Sequence, residues 1–490
     1  MKSLSALDGA FLSLETPATP MHVGSLHLFE LPPGDRGDFY DRLRSQMAAR
    51  LHLAPIFTRK LAAMPLGFAN PVWVETDDID LDYHVQRVTL PHPGTLTQLE
   101  DCTAALHAER LDRSRPLWRI GVIEGLQSGH AAYYIQVHHA VLDGQAGVLL
   151  GQALFDLDPK ARRLPRHRAA AAEHPGAGAL AATALRHDAG QLAKGLRHLP
   201  ELVRTLAGLW RSPSQAARGR LGENFTFGPR TALNVPITAG RGFAAQSIPL
   251  DTLKTLARAH GATLNDIVLA LCGGALRRYL ARHGGIPKKP LTAAMPISLR
   301  AAGNVDYTTQ ATMVLVNLHT QQPDPLERLQ AIRDSAGAMK GLARRTQGVI
   351  PTDFPSIGAP WLLRALAGLY GRAGLSSAIP PIANVVISNV SGPALPLYAA
   401  GARMATYWPL SIVEHGVGLN ITVMSYAGAM GFGFTVASAA VPNAHELTDA
   451  LQGSLDELLA ARRPDAAHPT ARSRPVRAAP AAQPSADPPQ

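Results

Sequence analysis

The chain has 490 residues, 46% of them hydrophobic, with two cysteines and a formal net charge of +10. That length exceeds what one hydrophobic core supports and predicts two domains plus extensions. The widely separated Cys102 and Cys272 exclude a disulfide framework or a thiolate zinc site and fit a reducing interior such as cytoplasm.

The charge is local. Residues 160–220 hold 12 Lys/Arg against Glu173, Asp188 and Glu201, and residues 461–490 hold five Arg against Asp465 and Asp487. What remains is close to neutral, which argues against an extended nucleic-acid groove. The opening stretch has no charged start followed by a long apolar run, so no secretory leader is expected. Nowhere do about 18 apolar residues run without a charge, so no membrane span is expected either.

In chain order, residues 1–158 form the first expected domain. "PLWRIGVIEGL" (116–126) and "HAAYYIQVHH" (130–139) read as strands around a glycine-containing turn. "QAGVLLGQALFDL" (145–157) has helical apolar spacing and follows Asp143-Gly144, a suitable helix start. Residues 159–230 read as a basic linker. Within it Leu192, Leu196, Leu199, Val203, Leu206 and Trp210 alternate with Lys194, Arg197, Arg204 and Arg211. That pattern suits an inter-domain helix or a helix lying on an anionic lipid surface. Residues 231–461 form the second expected domain, with two helices around "GATLND" and strands in "NVVISNV" and "GLNITVMSYAGAMGFGFTVAS". The Pro/Ala-rich residues 462–490 have little to bury and are expected to be disordered.

The stretch with chemistry in it is "YYIQVHHAVLDGQAG" (133–147). On a strand, His138 shares a face with Tyr134 and Gln136, and His139 shares the other with Tyr133, Ile135 and Val137. Adjacent histidines then point apart, and no third ligand stands at a recognisable spacing, so a metal site is not expected. A neutral imidazole beside a loop can act as a base if its other nitrogen is held. Asp143 suits a helix N-cap as well as a loop-fixing ion pair. Spacing alone leaves core histidine and catalytic base equally open.

His138-His139-Ala140-Val141-Leu142-Asp143-Gly144 matches HHxxxDG, the signature of the chloramphenicol-acetyltransferase-like superfamily of acyltransferases. More narrowly, the chain resembles the bacterial wax ester synthase/acyl-CoA:diacylglycerol acyltransferase family. The resemblance lies in "LSALDGAFLSLETPATPMHVG", "RPLWRIGVIEGL", "LNVPIT", "GATLNDIVLALCGGALRRYL", "MPISLR", "NVVISNVSGP" and "GLNITVMSY", which occur in that order between residue 4 and about 460. Two departures stand out: no acidic residue follows the "FGF" strand before Glu446, and Ser391 stands where proline is frequent.

The resemblance implies an α/β (α+β) fold of two chloramphenicol-acetyltransferase-like domains, each a mixed β-sheet with flanking helices, and an active site at their interface. It implies long-chain acyl transfer from acyl-CoA to a fatty alcohol or diacylglycerol, with acyl-CoA as co-substrate and no further cofactor. His139 is then the general base, and no covalent acyl-enzyme is involved; the sequence has no G-x-S-x-G nucleophile elbow. Asp143 orients the motif through an ion pair, for which Arg59 is the candidate partner. His138, Gly144, Asn265 and Asp266 are support residues, Trp118 is core, and Ser388 and Asn389 are candidate oxyanion donors. Expected partners are acyl-CoA and a lipid alcohol, with no nucleic acid. The expected location is cytoplasmic, with peripheral contact at the inner membrane or lipid inclusions. The alternatives are a carrier- or CoA-dependent acyltransferase with another alcohol acceptor, or a non-catalytic lipid-surface protein.

Overall fold

The computed structural model describes residues 2–4, 6–34, 37–62, 70–142, 146–162, 227–298, 311–345 and 380–461, with a few positions between 164 and 190. Asp143 and Gly144, the basic stretch 192–211 and the tail 462–490 lie outside the described residues.

Sixteen strands are described, in three sheets. β1 (Lys2–Ser3), β3 (Arg59–Ala62) and β4 (Val72–Glu75) make a small antiparallel sheet. The first large sheet is built on β2 (His22–Glu30), β5 (Val85–Thr89), β6 (Trp118–Glu124) and β7 (Ala131–His138). The second contains β8 (Arg241–Pro249), β9 (Thr292–Ser298), β10 (Ala311–Asn317), β11 (Val385–Val390), β15 (Leu419–Tyr426) and β16 (Ala429–Ala437), in the order β10-β9-β11-β15-β16-β8. Both are mixed. β5 runs parallel to β6, and β11 runs parallel to β9 and β15, while the other pairs are antiparallel.

Sheet membership does not follow the linear division expected at residue 231. β12 (Tyr398–Ala399), β13 (Ala402–Met404) and β14 (Trp408–Leu410) come from the second half of the chain but join the first sheet. Their registers on β2 are Met404 opposite Phe29 and Trp408 opposite Leu26. The reason is burial: Leu397, Ala399, Ala402 and Met404 complete the core around Phe29, Phe39, Phe57, Trp118 and Tyr133. Apolar alternation shows that a strand exists and does not show which sheet it joins.

β14 passes across the face of β16, and glycine makes room for it. A Cβ at Gly431 or Gly433 would collide with the backbone carbonyl of Tyr407 or Pro409. The two halves are fastened elsewhere too. Arg241 Nη2 donates to the Ala18 carbonyl at 2.6 Å, and the Ala245 N–H on edge strand β8 donates to Glu100 Oε1 at 2.7 Å. The second half has the largest core, where helices Leu250–Ala259 and Leu264–Arg282 cover the sheet with Leu253, Ile267, Leu271 and Leu276.

Candidate active site

β7 is buried along its whole length, and its last residue is His138, whose N–H donates to the Leu117 carbonyl at 3.0 Å. The strand alternation expected through residue 139 therefore stops one position early. His139 opens a 3-10 turn, His139–Val141, so the turn and not the pleat sets its direction. Its N–H is held by the Met21 carbonyl at 2.8 Å, and its own carbonyl receives the Leu142 N–H at 3.2 Å.

His138 caps that turn. Its Nδ1 accepts the Ala140 N–H at 3.1 Å, so the proton of the neutral ring is on Nε2. Nε2 faces Glu15 Oε1 at 3.6 Å. Burial, followed by the charge of Arg113, keeps the His138 pKa well below its ordinary value. The ring is a fixed neutral bracket.

Glu15 was not singled out by sequence reasoning, yet its buried carboxylate joins the pieces around the motif. Oε2 accepts from Arg113 Nε at 3.0 Å and Nη2 at 2.7 Å, while Oε1 accepts the Met21 N–H at 3.4 Å. The same Met21 holds His139 by its carbonyl. An acidic residue in "LSLETP" has no spacing signal that marks it as buried; only the fold brings Arg113, 98 positions away, onto it.

The His139 ring is half-buried and stacks on Phe11, with centroids 4.0 Å apart and planes inclined by 23°. Beneath the turn, Leu4, Leu12, Trp73, Leu111, Leu117 and Ala140 form a small apolar cluster. Burial lowers the His139 pKa, against the opposing pull of a hydrogen bond to its own carbonyl. Burial thus favours the neutral ring, which carries one unprotonated nitrogen. A neutral imidazole is equipped to accept a proton.

Other rings near the motif are also neutral. Burial lowers His22 to about 4 and His84 to about 4, and takes His107 well below its ordinary value. His22 Nε2 donates to the His107 carbonyl at 2.7 Å, and Tyr134 Oη contacts His107 Nδ1 at 2.6 Å. Trp118 is fully buried, stacked on His84 at 4.2 Å, with Nε1 donating to the Phe57 carbonyl at 3.3 Å.

In the second half, Asp266 is consumed in a capping box at the start of helix Leu264–Arg282. It accepts from the Thr263 N–H at 2.9 Å and returns its own N–H to Thr263 Oγ1 at 3.2 Å. Asn265, one residue earlier, is half-buried and accepts from Asn389 Nδ2 at 3.4 Å, while its own amide touches Met295 Sδ at 3.9 Å. The fold thus unites Asn265 with Asn389. Among the described residues no hydrogen bond joins either to His139. Arg59 pairs with Glu75 at 2.6 Å; Asp143, the partner anticipated for it, lies outside the described residues. Among the described residues no cluster of three or more His, Cys, Asp or Glu is placed to hold a metal ion.

Two mixed sheets, the first completed by three strands from the later half of the chain, define the two-domain chloramphenicol-acetyltransferase-like fold. Residues 4–268 match the model of the wax ester synthase/diacylglycerol acyltransferase catalytic domain, and residues 308–459 match the family's C-terminal domain. The chain belongs to this family and is an acyltransferase. A Mycobacterium tuberculosis protein named a diacylglycerol O-acyltransferase is 38% identical over 459 residues, covering 93% of this chain and 99% of the relative. A second from the same species is 37% identical over 463 residues, covering 92% and 97%. The solved wax ester synthase/diacylglycerol acyltransferase of Marinobacter aquaeolei superposes with a TM-score of 0.68 at 29% identity, over 94% of this chain and 98% of that one. The first condensation domain of the calcium-dependent antibiotic synthetase shares the fold, with a TM-score of 0.52 at 14% identity over 94% and 95% of the two chains.

Proposed function

We propose that this chain moves a long-chain acyl group from acyl-CoA to the hydroxyl of a fatty alcohol or diacylglycerol, giving wax ester or triacylglycerol, with His139 as general base. The observation that carries the reading is His139: its imidazole half-buried and kept neutral by burial, its backbone anchored through its N–H and its carbonyl. The unprotonated ring nitrogen takes the hydroxyl proton as the oxygen forms its bond to the thioester carbonyl. The tetrahedral intermediate then collapses, the C–S bond breaks, and the imidazolium returns the proton to the CoA thiolate. An alcohol is hardly ionised at neutral pH, so a positioned base contributes roughly 10²–10⁴-fold. No acyl-enzyme is needed, and Cys272, whose thiol burial pushes up to about 12, is no nucleophile.

Asp143 and Gly144 shape the motif loop in this reading. Asn265, Ser388 and Asn389 line the second half's contribution, where the Asn389 amide retains a second N–H for a developing oxyanion. Acyl-CoA is the co-substrate and no further cofactor takes part. Among the described residues no helix is long and apolar enough to cross a membrane; the basic stretch 192–211 is the proposed contact with a membrane or lipid inclusion, on the cytoplasmic side.

Free-thiol release from a long-chain acyl-CoA, with hexadecanol or a diacylglycerol as acceptor, tests the chemistry. Acceptor-dependent thiol release is expected from the wild type. His139→Ala is expected to cut it by at least about 10²-fold while melting cooperatively. Unchanged turnover in that variant would refute the assignment of the base.

A further inference from the structure

Arg241 opens β8 and reaches out of the second half of the chain into the first. Nη1 donates to the Thr238 and Gly240 carbonyls at 2.7 and 3.1 Å in its own half, and Nη2 donates to the Ala18 carbonyl of the first half at 2.6 Å. A guanidinium carries five N–H donors. Two are therefore left, one on Nε and one on Nη2, without a partner among the described residues. They point the same way from one plane, as a fork that fits two oxygens of a phosphate or carboxylate. Nε is not sealed from solvent.

The three acceptors are all uncharged carbonyls. Arg119, which acts on the same His22 ring, has Glu109 at 2.8 Å, and Arg113 beside the motif has Glu15 at 2.7 Å. Among the described residues Arg241 has no such carboxylate, and burial alone acts on it, lowering its pKa to about 10. It stays a cation at neutral pH. A half-desolvated charge without a counter-charge is unfavourable, and an anion brought by a ligand relieves it.

Its hydrogen bond to Ala18 ties this cation to the segment that holds the motif. Ala18 stands three residues before Met21, whose carbonyl holds the His139 N–H at 2.8 Å. Three residues span at most about 11 Å. Arg241 is also close enough to His22, His107 and His415 to lower the pKa of each, and His22 pairs with His138 across the strands. In acyl-CoA about 13 bonds of the pantetheine arm separate the thioester sulfur from the first phosphorus. That is the length of about four extended residues, roughly 14 Å. A thioester at His139 thus brings the phosphates within reach of Arg241.

We propose that Arg241 binds the diphosphate of acyl-CoA through its free Nε and Nη2 donors while the thioester lies at His139. The assignment rests on the acyl-transfer reading above and adds to it the anchor for the donor's charged end. A bidentate arginine–phosphate contact is both directional and charge-assisted, and partial burial strengthens it over a contact in open water. The same guanidinium keeps its bond to Ala18, so the bound donor braces the two halves against each other.

Steady-state transfer to hexadecanol or dioleoylglycerol from palmitoyl-CoA, and from palmitoyl-pantetheine, which ends before the phosphates, tests this in the wild type, Arg241→Gln and Arg241→Lys. The wild type is expected to favour palmitoyl-CoA. Arg241→Gln is expected to lower kcat/KM for palmitoyl-CoA at least about tenfold, mainly through KM, and to shrink the preference over palmitoyl-pantetheine accordingly. Arg241→Lys keeps the charge without the fork and is expected to fall between the two. The ratio of the two donors within one preparation does not depend on how much of it is folded. A role confined to holding Ala18 would slow both donors alike. Equal loss on both donors, or no loss with palmitoyl-CoA, overturns the proposal. A wild type that uses both donors equally well overturns it too and leaves acyl transfer standing. A wild type that transfers from neither overturns the acyl-transfer reading as well.

Discussion

Glu15 shows how far the candidate active site depends on a residue that is no part of its motif. It holds the Met21 N–H and faces the His138 Nε2 proton, while Arg113 neutralises its charge. Its side chain is 1% exposed and that of Arg113 is 39% exposed. Removing the carboxylate would therefore strand buried donors at Met21 and His138, whereas water could rescue the arginine. Glu15→Ala is expected to lose about 2 kcal/mol of stability, less than a fully buried pair would lose because one partner is half solvated. Activity is expected to fall further than stability, since the turn that aims His139 is released at the same time. Urea unfolding beside thiol release checks this: a variant with unchanged midpoint and unchanged turnover would show the bracket to be idle. By contrast Asp266, although it belongs to a motif, spends both its side chain and its N–H on Thr263. Its role is to start a helix.

At the scale of elements, the sequence was legible where periodicity and turn chemistry agree. Helices beside "GATLND" and strands in "GVIE", "AAYYIQV" and "GLNITVMSYAGAMGFGFTVAS" all fall where the pattern places them. The HHxxxDG stretch pointed to His139 through its resemblance, and the structure adds why the ring is neutral. What pattern could not show is partnership over distance. Nothing in "GFGF" says that Gly431 and Gly433 make space for a strand from the other sheet. Nor does Asn265 announce Asn389, 124 positions on. The first contact depends on how the two sheets pack and the second on how the later half folds on itself, neither of which local propensity encodes. The basic stretch 192–211 is legible by composition alone, and its chemistry makes a direct prediction. Each Lys or Arg near an anionic surface contributes about 1 kcal/mol of attraction. Replacing Arg197, Arg204 and Arg211 by Glu is thus expected to release the protein from phosphatidylserine-containing vesicles at physiological salt. Sedimentation with the vesicles that is the same for both proteins would remove the lipid-contact role.

At the scale of the whole molecule, the buried histidines tie stability to pH. Burial takes His27 to about 3, His22 to about 4 and His84 to about 4, with His107 and His138 lowered well below their ordinary value and His139 lowered as well. An unfolded chain protonates these rings near pH 6.5. Between that value and about 4 it binds protons that the native rings at 22 and 84 refuse, so stability rises with pH across this window. The contribution is complete above about pH 6.5 and is lost as pH falls. Glu100 acts in the opposite sense. Burial raises it to about 7, so the native state holds its proton where the unfolded state has released it, and stability falls as pH climbs toward 7. Glu414, raised by burial, adds a smaller term of that sign because the residue is exposed. Five strongly depressed histidines outweigh one strongly raised carboxyl, so the balance favours neutral pH. The melting temperature is expected to drop steadily from pH 7 to pH 5, by several degrees for each unit. A His22→Gln, His84→Gln double variant is expected to flatten that slope, because the amides take no proton. A melting temperature independent of pH over this range, or an unaltered slope in the double variant, would mean that the rings titrate alike in both states.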